Sequence, residues 1–138
     1  MSEHVHTIAL FGEAEKGEFQ TAYCFQSVAD LAEYVGHPPE DSVGLHFAVQ
    51  ALMYRHQLIF FRVQEEGYSL ADYYYGLELL QNDQLIPHLD AVCMPGMGDA
   101  SVIDSSANLC ERYQSLLITT EKDLYDYLTW AKKEEDIE

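Results

Sequence analysis

Gln57–Val63 reads QLIFFRV, four apolar residues in unbroken succession. A strand with one wet face alternates apolar and polar side chains, whereas a continuous run suits a strand covered on both faces. That is the situation of a strand inside a parallel sheet with helices on either side. Working outward, Val5–Phe11, Leu89–Met94 and Ser115–Thr119 carry similar runs, and Thr21–Gln26 adds a fifth candidate strand.

Helical spacing fills the intervals. Val28, Leu31, Ala32 and Val35 fall on one helix face, closed by Gly36 and Pro38. Leu45, Ala48, Val49, Leu52 and Met53 repeat the pattern, as do Leu70, Tyr73, Tyr74, Leu77 and Leu80. Val102, Ile103, Ala107 and Cys110 give a weaker helix, and Leu124, Tyr127, Leu128 and Ala131 the last. Three starts share one local signal: SVAD at Ser27–Asp30, SLAD at Ser69–Asp72 and TEKD at Thr120–Asp123. In each, the hydroxyl can accept from the amide three residues on, and the acid faces the positive helix end.

Strands and helices alternate in the later half, the pattern of a parallel α/β sheet. Only nine residues, GEAEKGEFQ, join the first two strands, too few for a crossover helix. Thr21–Gln26 is therefore expected antiparallel to the first strand, at an edge. The predicted architecture is one α/β domain over residues 1–138: a mixed, mostly parallel five-stranded sheet in a three-layer sandwich of Rossmann-like or flavodoxin-like type. KKEEDIE, residues 132–138, reads as a frayed charged tail.

Seven basic residues against 24 acidic ones give a net charge of -17. Such a field repels phosphate backbones, so nucleic acid and anionic membranes are not expected partners. It attracts cations and basic protein surfaces, or serves solubility alone. No run of 18 apolar residues occurs, and MSEHVHTIALFGE lacks the basic region and apolar core of a signal peptide. Cys24, Cys93 and Cys110 lie among apolar neighbours without a CxxC, as expected of buried, reduced thiols in a cytoplasmic protein. Cys93 is the first choice should a thiol be catalytic. The ten tyrosines include Tyr73-Tyr74-Tyr75, more rings than one helix face can bury, so some must reach the surface.

Ligands of open α/β sheets bind beyond the carboxyl ends of the strands. If the four main strands are parallel, their exits share one rim carrying Glu13, Glu15, Glu65, Glu66, Asp99 and Glu121. Glu13, Glu65 and Asp99 are the candidate ligands for Mg²⁺, which could then grip a phosphate. Gly12, Gly96 and Gly98 are the candidate positions where backbone approaches a ligand. PGMGD at Pro95–Asp99 has the right context, strand to helix, but is neither a P-loop nor GxGxxG. Asp99 at the N-cap fills the place an anion would take, which favours a structural turn. Receiver domains of response regulators need an acid pair closing the first strand, and Phe11-Gly12-Glu13 lacks it. His4 and His6 share a strand face, as a metal-chelating or a solvent-facing pair. No GxSxG or HExxH motif is present.

Two functions follow. The first is a small acidic module that binds a protein partner or itself, as a homodimer. The alternative is a Mg²⁺-dependent enzyme or sensor for a nucleotide or phosphorylated metabolite at the rim.

Overall fold

The computed structural model describes residues 6–82 and 88–137, with side chains as far as residue 132. In chain order the elements are β1 (Thr7–Gly12), β2 (Ala22–Phe25), α1 (Val28–Val35), α2 (Gly44–Met53), β3 (Gln57–Arg62), α3 (Leu70–Leu80), β4 (Ala91–Cys93), α4 (Ala100–Tyr113), β5 (Leu116–Ile118) and α5 (Glu121–Ile137). The strands form one sheet in the order β2-β3-β1-β4-β5. β1 pairs in parallel with β3 and with β4, and β4 in parallel with β5. β2 is antiparallel and at the edge, as its short connection requires, but its neighbour is β3 rather than β1.

The apolar runs are buried because alternate residues serve different layers. Ile8, Leu10, Leu58, Phe60, Ala91 and Cys93 pack with α1, α2 and α5. Ala9, Phe11, Ile59, Phe61, Val92 and Met94 pack with α3 and α4. This is the expected three-layer α/β sandwich. The charged stretch expected as a frayed tail continues α5 to Ile137. Val5, the expected start of the first strand, and His4, the partner of His6 in the expected pair, lie outside the described residues.

Two of the three hydroxyl starts form as read. Ser27 accepts from the Asp30 amide at 3.2 Å, and Thr120 from the Asp123 amide at 3.1 Å. Ser69 makes no cap bond; its hydroxyl instead accepts from the Glu65 amide and donates to the Glu65 carbonyl. Asp72 accepts from the Gln64 amide at 2.9 Å. The residues of SLAD are thus used to fold the loop before α3.

Candidate functional site

The parallel strands bring their exits to one end of the sheet. Strand order turns back at β1: the chain goes from β1 outward to β3, then returns past β1 to β4. In open sheets of this kind the crevice between two such strands is the usual ligand position. Here it lies between the exits of β1 and β4, where Gly12, Glu13 and Pro95–Asp99 are found.

The β1 side of that place is taken by the protein itself. The Glu66 carboxylate, from the loop after β3, accepts from three backbone amides. These are Glu13 at 2.8 Å, Val43 at 2.9 Å and Gly44 at 3.0 Å. The Glu66 amide in turn donates to the Glu13 carboxylate at 2.9 Å. Val43 is the N-cap of α2 and has no side chain able to cap it. Glu66 therefore supplies from a distant loop both the acceptor and the negative charge that the start of α2 lacks. Glycine is needed on both sides: a methyl group at Gly44 would lie 2.7 Å from Gly12 Cα and from Glu66 Oε2.

The same loop reaches the exit of β4. Its Gly67 amide donates to the buried Tyr73 hydroxyl at 2.7 Å. Burial pushes the Tyr73 phenol up to about 12, and the Gly67 amide opposes this by favouring the ionised form. A methyl group at Gly67 would meet the Gly96 carbonyl at 2.7 Å. Residues 64–67 thus form a strap from the start of α2, across the end of β1, to Gly96.

Each predicted site residue can now be placed. Gly12 makes a close backbone approach, to Gly44 rather than to a ligand. The Gly96 amide donates to the Thr119 carbonyl at 3.2 Å, which ties two exits together. A side chain at Gly98 would meet nothing within 4 Å, so no crowding there demands glycine. Asp99 caps α4 by accepting from the Val102 amide at 3.1 Å. Glu13 is engaged with the Glu66 amide, and Glu65 is exposed. Among the described residues no group of three or more His, Cys, Asp or Glu side chains is disposed to hold a metal ion. Glu13, Glu65 and Asp99 thus do not form such a group. The rim acids share an edge, but helix capping takes Asp99 and the strap takes Glu13 and Glu66.

The opposite end of the sheet holds a polar cluster that the motif search passed over. Thr7 lies level with Gln57 and Ile8 with Ala91, so the residues that enter these strands become neighbours. The rings of His6 and His56 lie 5.1 Å apart. His6 Nδ1 is 3.0 Å from the Tyr127 hydroxyl and 3.9 Å from Asp90. The Thr7 amide donates to Asp90 at 2.8 Å, and His88 stands 3.8 Å from the same carboxylate. His6 is buried, contrary to the solvent-facing alternative. Burial, reinforced by His6 and opposed by Asp90, lowers His56 to about 4, so it is neutral at pH 7. Its Nδ1 is buried with no hydrogen-bond partner among the described residues.

The surface differs from expectation at one cysteine. Cys93 and Cys110 are buried, and burial raises both thiols, as inert core thiols require. Cys24 is exposed. On β2, Tyr23 and Phe25 face α1, while Ala22 and Cys24 face the side of α3 and α4, whose core cluster includes no β2 residue. The tyrosines divide as their number demands. Tyr73 is fully buried while its neighbours Tyr74 and Tyr75 are partly exposed, and Tyr127 is buried while Tyr125 is not. No helix among the described residues is long and apolar enough to cross a membrane. Comparison with known proteins returns no match: no family model, no curated protein and no solved structure aligns with the chain.

Proposed function

We propose that this chain is a protein-binding module whose acidic surface recruits a basic protein partner. The observation that carries this reading is the set of rings left outside the core. Tyr34, Tyr68, Tyr125 and Trp130 are each more than half exposed, on a chain of net charge -17. Exposed tyrosine and tryptophan are the side chains from which interfaces draw most of their binding energy. The charge selects basic partners and speeds encounter with them. The strap at the carboxyl end supports the same choice, because Glu66 fills the position a small anionic ligand would use. The test is a display of Lys/Arg-containing peptides with Glu-containing twins, probed at physiological salt. Binding to basic peptides alone, weakening as salt screens the charges, is the expected result. Capture of none at physiological salt overturns the reading.

A further inference from the structure

We propose that the outer edge of β2 is the docking line, taking an extended segment of the partner that alternates Lys or Arg with apolar residues. This rests on the reading that the partner is basic. β2 ends the sheet, so no strand lies on its outer side among the described residues. Exposed edges are usually blunted by short length, charge, proline or a covering element, because their free amides and carbonyls invite pairing; β2 is short, at four residues. Thr21–Ser27, TAYCFQS, contains neither charge nor proline.

The surroundings of this edge are apolar. Ala22 and Cys24 are uncovered on one face of the strand. Phe19 precedes it at 38 % exposure and Val28 follows at 39 %. On the other face the Tyr34 ring, 54 % exposed, lies 6.2 Å from Tyr23 and 5.9 Å from Phe25. Exposed acids stand at both ends: Glu18 before the strand, Asp30 and Glu33 after it. A line of backbone donors and acceptors, an apolar strip and flanking carboxylates describe one occupant, an added strand with basic and apolar side chains. The other edge, β5, also exposes an apolar residue, Leu116, but it is three residues long against four for β2.

Cys24 supplies the readout, since Cys93 and Cys110 are buried. The probe is a fluorescein-labelled peptide alternating Lys and Val. Its twin carries a methyl on every backbone nitrogen, with charge and side chains unchanged. At physiological salt the first peptide slows modification of Cys24 by Ellman's reagent at least about threefold, and the twin does not. Cys24→Lys weakens peptide binding about tenfold, while Leu116→Lys, the same charge change on the opposite edge of the sheet, leaves it within about twofold. Equal binding of the twin, or equal loss in both variants, overturns the edge while the basic-partner reading survives. Cys24 protection that rises with the protein's own concentration, without peptide, gives the edge to a second copy and also overturns the proposal. No binding of any basic peptide removes both readings.

Discussion

The two ends of the sheet solve the same problem differently. Both bring polar groups into a largely buried space where parallel strands begin or end. At the carboxyl end a carboxylate meets backbone amides: Glu66 takes three, Asp99 caps α4, and the Tyr73 hydroxyl takes the Gly67 amide. At the amino end side chains meet one another. His6, His56, His88, Asp90 and Tyr127 gather, and one His56 nitrogen has no partner among the described residues. Amides cannot change protonation near neutral pH, whereas histidines can. The exits are therefore held by side-chain acceptors on backbone amides, and the entrances by a side-chain cluster that includes His56, whose burial disfavours its charged form.

Glu66→Ala should break this contrast most. It leaves three amides without their acceptor and α2 without its cap. The expected cost is about 3 kcal/mol, a fall in Tm of roughly 10 °C for a domain of this size. Glu66→Gln, which keeps an acceptor oxygen, should lose about half as much. A melting temperature for Glu66→Ala within about two degrees of the parent would mean that the strap does not hold the exits.

Acid should act at the other end. A histidine whose folded pKa lies below its unfolded value stabilises fully above the unfolded value and loses that contribution as pH falls. For His56 the window runs from 6.5 down to about 4. Burial as a neutral ring sets the sign, and the loss across the window is on the order of 2 kcal/mol. Protonation also reduces the net charge and its self-repulsion, which works in the opposite direction. His56→Leu separates the two effects, because it keeps the charge relief and removes the titration. Urea melts of parent and variant at a series of pH values should diverge below pH 6.5. Parallel curves would show that the amino end is no more acid-labile than the rest.

Tyr73→Phe sharpens the comparison least. It removes the acceptor from the buried Gly67 amide and leaves the ring stack with Phe11 in place, where the centroids are 5.2 Å apart. An orphaned buried amide costs about 1–2 kcal/mol. Faster hydrogen exchange at Gly67, with little change at Leu77 further along α3, would show that the strap loosens locally. An unchanged Gly67 amide would mean that another acceptor replaces the phenol.

The layers and strand directions were legible because they follow from local pattern. QLIFFRV is apolar on both faces, and nine residues between β1 and β2 leave no room for a crossover. The rim acids were legible as a set, since parallel strands must exit together. How they are used was not. Glu66 caps α2 from a position 23 residues downstream of Val43, and no short-range signal links the two. Conversely, SLAD looked like a cap and its residues fold a loop, because Glu65 offers Ser69 both a donor and an acceptor. The histidine cluster was hidden by register. His6 and His56 each stand one residue before a strand, and only the pairing of Thr7 with Gln57 makes them neighbours. Cys24 was read as buried because its apolar neighbours do not say how far the α3/α4 layer extends.

The strap has a consequence for any dissolved anion. Glu66 behaves as a ligand attached by its own backbone, so its effective concentration at the start of α2 is millimolar or above before binding is counted. A free phosphate or carboxylate would have to outcompete that tethered group and also detach Gly67 from Tyr73. The start of α2 is thus kept filled by a resident that cannot diffuse away.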